Sequence, residues 1–332
     1  MKLKPLTVAG LIIALLITLW FAFPAVTARG LLSLSHANAG LSRHSVATQF
    51  GTINYLEGGR GETILLLHGI FARKEHWASV MRELVDDYRV IALDLPGFGD
   101  NPLLEFAQYD LNIQQQQLTE IIDALDLKSF HIGANSMGAA IASLYIAANP
   151  SRVKTMSFIG SPAGVQSPVR SDMEIALSDG QIPLVVRSAD EFHARNEFLA
   201  PNMPYIPGPV VNVWMNQELD RADSNIAIWN QVNAASSMPD LLRLAAAIDI
   251  PTLIVWCKQD RIFHISGAYK LDASLPDSTL AIPESCGHVP MLDAPSRVVG
   301  IYRDFLSHQE RKGNIPQPPQ SHSMQTLQSV NK

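Results

Sequence analysis

The feature that most constrains this chain is a set of short apolar runs that never alternate with polar residues. Thr63–Leu67 (TILLL), Arg89–Leu93 (RVIAL) and Pro251–Trp256 (PTLIVW) are of this kind. A strand with one wet face alternates, whereas a strand covered on both faces does not, and such strands belong to mostly parallel sheets flanked by helices. Thr52–Leu56, Lys128–Gly133, Val153–Ile159 and Thr279–Ile282 read as further strands. Helical patterns lie between them. Trp77, Val80, Met81, Leu84 and Val85 share one side of His76–Tyr88, and Leu118, Ile121, Ile122 and Leu125 recur at i, i+3, i+4 and i+7. Met137–Ala148 stops at Asn149-Pro150, and Pro295–Leu306 closes the series. The expectation is an α/β sheet with right-handed crossovers.

Two regions depart from this rhythm. Residues 166–247 lack buried strands and carry prolines at 168, 183, 201, 204, 207, 209 and 239, too long a stretch for a loop. A helical cap folded over one edge of the sheet is expected there. Residues 5–28 form the other exception, 24 residues without a charge. Leu6–Val26 is long enough for a bilayer span, and Lys2 and Lys4 before it set an orientation that exports the rest of the chain. A cleaved signal peptide is the alternative, with Val26-Thr27-Ala28 as a small-x-small site, and it also exports the domain. The expected organisation is therefore an anchor or signal over 1–29 and a core over 30–165 and 248–310. The cap occupies 166–247, and a Pro-, Gln- and Ser-rich disordered tail occupies 311–332.

With 332 residues, 47% of them hydrophobic and 17% charged, the chain buries a core and is not a disordered protein. Its 25 Lys+Arg against 31 Asp+Glu give a formal net charge of −6, which excludes a nucleic-acid binder built on a basic surface. The oligomeric state is not legible. The ten His and two Cys show no metal-ligand spacing, no G-x-G-x-x-G opens a helix, and no cofactor is expected.

The most specific local motif is Gly133-Ala134-Asn135-Ser136-Met137-Gly138, set between a strand and a helix. Small residues on either side of a serine permit a tight strand-to-helix turn that raises the hydroxyl above the sheet. A plain helix N-terminus with Ser136 as cap is the alternative for the hexapeptide alone. A serine hydroxyl needs an imidazole to take its proton, a carboxylate to orient the imidazole, and donors for the oxyanion. Asp260 follows one strand and His288 another, at strand ends where ligand sites gather. The order Ser136, Asp260, His288 is that of a Ser…Asp…His hydrolase. His68-Gly69-Ile70-Phe71 follows the first long strand, so the backbone N–H groups of Ile70 and Met137 are the expected oxyanion hole. His68 itself is expected to shape that turn, and His264 to make a surface or cap contact.

Over residues 46–307 the chain resembles the α/β-hydrolase superfamily at four motifs in order: oxyanion turn, nucleophile elbow, acid loop and histidine loop. His68–Trp77, PTLIVWCKQD and CGHVPMLDAP are similar to the membrane-anchored monoacylglycerol lipases and related bacterial lipases. The resemblance implies a mostly parallel eight-stranded sheet, a single N-terminal anchor and hydrolysis of lipid or other carboxylic esters without a cofactor. Ala134 stands where a Gly is usual, as does Cys257. Asp293 replaces a frequent Glu, and GFGDNP a common GFGxS. The rivals are a C–C bond hydrolase of the same fold and a non-catalytic membrane-tethered binding module. Met173, Phe192, Phe198, Met203, Trp214, Met215, Trp229 and Met238 are candidates for an acyl groove, most of them expected simply to pack the cap. Cys257 and Cys286 are expected as buried free thiols. An exported compartment also permits a bridge between them, which would clamp the acid and histidine loops together.

Overall fold

The computed structural model describes residues 5–314. Its centre is an eight-stranded sheet of β1 (Leu41–Thr48), β2 (Gly51–Gly58), β3 (Thr63–Leu67), β4 (Arg89–Leu93), β5 (Phe130–Ser136), β6 (Val153–Pro162), β7 (Thr252–Val255) and β8 (Ser278–Ala281). The spatial order is β1-β2-β4-β3-β5-β6-β7-β8. β1 pairs antiparallel with β2, and β2 with β4; the other neighbours are parallel. The unbroken apolar runs follow from this arrangement. Leu65 and Leu67 of β3 enter one core with Ile91 and Leu93, while Ile64 and Leu66 enter the opposite core with Val90 and Ala92.

The helices in chain order are α1 (Pro5–Ala22), α2 (Pro24–Asn38), α3 (Ala78–Leu84), α4 (Leu111–Ala124), α5 (Met137–Ala148), α6 (Asp172–Ser178), α7 (Ala189–Leu199), α8 (Gly208–Asp220), α9 (Ala222–Val232), α10 (Leu241–Ala245), α11 (Ser266–Ser274), α12 (Pro290–Asp293) and α13 (Pro295–Asn314). Leu118, Ile121 and Ile122 of α4 pack with Ile141 and Tyr145 of α5 on one face of the sheet. Val80, Met81 and Leu84 of α3 pack with Val298, Val299 and Tyr302 of α13 on the other. Helices α6–α10 all lie between β6 and β7 in sequence, and α2 packs along α8.

Four expectations change. β1 carries no apolar run; it is a mostly exposed edge strand with Ser42, Arg43 and His44, of the kind that polar side chains protect from further pairing. His76–Tyr88 is shorter than a full helix, because Lys74–Trp77 form a 3-10 turn and α3 ends at Leu84. The continuous span of residues 6–26 is broken at Phe23, with Pro24 opening α2, where a missing N–H and a fixed φ suit a helix start. Among the described residues no helix is long and apolar enough to cross a membrane. At the other end, Arg311–Asn314 belong to α13, and the rest of the expected tail lies outside the described residues.

Candidate active site

Ser136 ends β5 and Met137 begins α5, so the chain reverses from strand to helix within one peptide. Ser136 has φ 52° and ψ −119°, a region that a side-chain-bearing residue occupies only under strain. Its side chain makes no capping hydrogen bond, which removes the plain N-cap reading. The turn after β3 approaches from the other side. A Cβ on Gly138 would lie 2.4 Å from the His68 carbonyl oxygen, and one on Gly69 would lie 3.1 Å from Ser136 Cβ. Glycine at 138 lets these two backbones come together, while a side chain at 69 would press on Ser136. Ala134 sits one turn of the pleat below, fully buried in the sheet core.

The loops after β7 and β8 bring Asp260 and His288 to the same end of the sheet. His288 Nδ1 lies 3.1 Å from Asp260 Oδ2. Asp260 Oδ1 accepts from the backbone N–H groups of Ile262 at 2.8 Å and Phe263 at 3.2 Å. Both side chains are almost wholly buried. His288 and Ser136 line one pocket, together with Ile70 from the oxyanion turn. Among the described residues Ser136 Oγ makes no hydrogen bond, so the hydroxyl and the imidazole edge both remain available to a substrate. Met137 supplies a first-turn N–H of α5, of the kind that finds no intrahelical acceptor.

Two further polar side chains belong to this constellation, and the sequence did not mark either. Ser161, near the end of β6, donates its hydroxyl to Asp260 Oδ2 at 2.5 Å while its oxygen lies 2.9 Å from His288 Nδ1. It therefore stands between carboxylate and imidazole, completely buried. Asn135 donates through Nδ2 to the carbonyls of Ile159 and His288, both at 2.9 Å, which ties the histidine loop to β5 and β6. Asp293 Oδ2 accepts from the Gly287 N–H at 2.9 Å and braces the same loop from α12. Burial raises its pKa.

Cys257 and Cys286 are bonded to each other, which corrects the expectation of two free thiols. β7 and β8 are adjacent and parallel, so the residues that leave their ends are neighbours, and the two Cα atoms are 5.3 Å apart. The bridge joins the acid loop to the histidine loop. His68 donates from Nδ1 to the Gly69 carbonyl at 2.7 Å and accepts at Nε2 from the Leu95 N–H at 3.0 Å. Burial pushes its pKa down to about 3, so it is a neutral brace of the oxyanion turn. His264 bonds Ser266 Oγ at 3.0 Å, beside the start of α11.

The roof of the pocket comes from α7, α8 and the loop between them. Of the eight apolar candidates, Phe192, Met203 and Trp214 line it. Met173 belongs to a separate cluster with Phe198 and Trp229, and Met238 packs against the main core. Arg195 pairs in bidentate fashion with Glu218, at 2.7 and 3.0 Å. The Arg73 guanidinium lies 4.7 Å above the Trp214 ring. The enclosed space is narrow, about 80 Å³. No group of His, Cys, Asp and Glu among the described residues has the arrangement of a metal site.

Comparison with known proteins gives a consistent result. The family model for the alpha/beta hydrolase fold matches residues 62–295. Lipase 1 of Psychrobacter immobilis is 29% identical over 256 residues, covering 76% of this chain and 80% of the lipase. The human monoacylglycerol lipase ABHD6 is 25% identical over 258 residues, covering 75% of this chain and 76% of its own. Among solved structures, a membrane phospholipase A described as a bacterial virulence factor superposes with a TM-score of 0.84 at 32% identity, covering 92% of this chain and 98% of that one.

Proposed function

The chain belongs to the α/β-hydrolase family and is a carboxylic ester hydrolase, and we propose that it cleaves lipid esters such as monoacylglycerols through Ser136, His288 and Asp260. The observation that carries this reading is the convergence of Ser136 and His288 on one pocket, with the far ring nitrogen of His288 held by Asp260. In the proposed reaction Ser136 Oγ attacks the ester carbonyl as His288 takes its proton. The tetrahedral oxyanion is held by the N–H groups of Ile70 and Met137. His288 then passes the proton to the departing alcohol, leaving an acyl-enzyme. Water attacks the acyl-enzyme by the same route, releasing the acid and restoring Ser136. Asp260 fixes the imidazole tautomer and stabilises the imidazolium throughout.

The apolar roof supports a lipid substrate, and so do the names of the relatives. Ser136 and His288 are buried beneath this roof, so the reading includes a parting of roof from floor that admits the ester to Ser136. The uncharged stretch of residues 5–28 supports a site held at a membrane with the domain on the exported side, or secreted if the segment is cleaved. A rise of about 1.5 Å per residue makes the 18-residue α1 nearly as long as a hydrocarbon core is thick, roughly 30 Å.

The test is a panel of p-nitrophenyl esters and monoacylglycerols with wild type and Ser136→Ala, together with fluorophosphonate labelling. Turnover of acyl esters that is lost by about 10⁴-fold or more in Ser136→Ala, with the label on Ser136, is the expected result. Labelling at another residue, or undiminished turnover by the variant, overturns the assignment. Indifference to acyl chain length would return the C–C hydrolase reading to contention.

A further inference from the structure

The N-terminal part of the chain is chemically unlike the rest. No Asp or Glu precedes Glu57, although the whole chain has a net charge of −6. In the fold this basic segment meets the cap. A groove of about 640 Å³ runs between α2, the edge of the sheet and α8, and its walls carry Arg29, Arg43, Arg73 and Arg221 against a single carboxylate, Asp100.

Asp100 does not neutralise the groove. Its Oδ2 is 2.6 Å from Lys74 Nζ and also pairs with Arg43, and its Oδ1 is 4.0 Å from Arg73. Lys74 is also paired with Asp94 at 2.7 Å and Glu75 at 3.1 Å, so Asp100 is the carboxylate left to Arg43 and Arg73 together. Arg73 is fixed further by donating to Gln217 Oε1 at 3.0 Å and by its place over Trp214. Arg29 on α2 and Arg221 at the end of α8 have no carboxylate within 4.0 Å among the described residues, and the residues outside the description contain no Asp or Glu. Two guanidinium groups on different helices thus face one groove without a counter-charge.

Such a groove is complementary to a doubly or singly charged oxyanion. Guanidinium groups bind phosphate with paired, charge-assisted hydrogen bonds, and basic residues beside an apolar anchor favour anionic lipid headgroups. The groove also begins within two turns of α1, on the segment whose composition suits a membrane. We propose that it binds the phosphate of a phosphate ester, with an anionic phospholipid headgroup as the ligand that the setting favours. It is separate from the catalytic pocket. Arg73 and Trp214 line both and form the partition between them. An occupant of the groove would therefore rest against the roof of the active site, and the assignment does not depend on the identity of the catalytic residues.

The experiment uses the full chain carrying Ser136→Ala in dodecyl maltoside micelles, so that lipid is not consumed. Binding of radiolabelled dioleoyl phosphatidylglycerol is measured with and without Arg29→Gln/Arg221→Gln, and dioleoylglycerol serves as the ligand without phosphate. Saturable binding of the phospholipid, at least tenfold tighter than the neutral lipid and weakened at least tenfold by the double substitution, is the expected result. Arg29→Lys/Arg221→Lys should retain more binding than the Gln pair. Equal binding of the two lipids, or of the Gln and unsubstituted chains, overturns the proposal. Should the Gln pair fail to fold, inorganic phosphate decides on the unsubstituted chain: displacement greater than that by NaCl of equal ionic strength supports a phosphate site, and equal displacement overturns it. Glycerol 3-phosphate distinguishes the sources. Full competition identifies a site for free phosphate esters, and its failure where the lipid binds identifies a lipid headgroup site.

Discussion

The floor and the roof of the pocket are built on different principles. The floor comes from the ends of β5 and β6 and the loops after β7 and β8. There Asn135, Ser161, Asp260 and His288 are held by hydrogen bonds to one another or to strand backbone. The roof comes from α7, α8 and the loop between them, and meets the site through Phe192, Met203 and Trp214, with Arg195–Glu218 as its ion pair. Shifting a floor residue breaks a buried polar network, which is costly because each lost partner leaves an unsatisfied group. The roof is tied to the floor at its α7 end, where the Leu199 carbonyl accepts from the His288 N–H at 2.7 Å, but its pocket-facing side chains meet the site by apolar contacts that trade one for another. Under the proposed function, the floor carries the chemistry and the roof admits the substrate.

The largest test of that contrast is Asp260→Asn. The isosteric amide keeps the shape but cannot hold the imidazole in its working tautomer, and kcat should fall by about 10⁴-fold with KM little changed. A loss no greater than that of a roof substitution would break the comparison at its centre. Next comes the clamp beneath the floor. Cys257 and Cys286 close a loop with a sequence separation of 29, and removing the bridge by Cys257→Ala/Cys286→Ala should destabilise the fold by about 3–4 kcal/mol in urea unfolding on the chain-entropy estimate. Activity of the folded fraction should fall far less than with Asp260→Asn.

These two regions were unequally legible in the sequence. The central strands announced themselves because burial on both faces demands an apolar residue at every position, as in TILLL of β3. Ser136, Asp260 and His288 stand in motifs with local constraints, such as a tight turn after a strand, and the structure brings them to one end of the sheet. Ser161 and Asn135 carried no such signal. Their bonds reach loop residues distant in sequence, 99 positions from Ser161 to Asp260 and 153 from Asn135 to His288. Cys257 and Cys286 were misread for the same reason: whether two thiols meet depends on the register of β7 with β8. β1 was missed because its exposed, polar edge has no apolar pattern to read. In the roof α7 and α8 show little amphipathic contrast, so neither their bounds nor the few residues that reach the pocket could be picked out.

Two smaller effects sharpen the account of the floor. His68 is neutral and fully buried under the oxyanion turn, with its pKa lowered by burial from 6.5 to about 3. A depressed folded pKa means that the unfolded chain takes up the proton first. Stability is therefore complete above pH 6.5 and is lost as pH falls toward 3. The loss between pH 7 and pH 5 should be about 2 kcal/mol from this group. His68→Asn, though less stable at neutral pH, should show a correspondingly flatter dependence of unfolding free energy on pH over that window. An unchanged slope would mean that His68 is not the group responsible. Ser161→Ala should lower kcat about tenfold and alter the acidic limb of the pH–rate profile, because the bridging hydroxyl contacts both Asp260 and the His288 imidazole. Ser161→Thr should recover much of the loss, whereas a purely structural role would leave the pH profile in place.

The smallest expected effect belongs to the roof, and its form matters more than its size. Met203 lies on the loop between α7 and α8 and lines the pocket without touching any floor hydrogen bond. Replacing it with Ala removes roughly 1–2 kcal/mol of apolar contact to a bound acyl chain. On long-chain p-nitrophenyl esters KM should therefore rise up to about tenfold, with kcat almost unchanged, because the contact is equal in ground and transition states. On p-nitrophenyl acetate neither constant should move, since so short an acyl group does not reach the side chain. A fall in kcat on acetate would show that Met203 holds the catalytic floor in place, and the division between a floor that reacts and a roof that selects would fail on the segment where Asn202 already bonds the Ser285 carbonyl of the histidine loop.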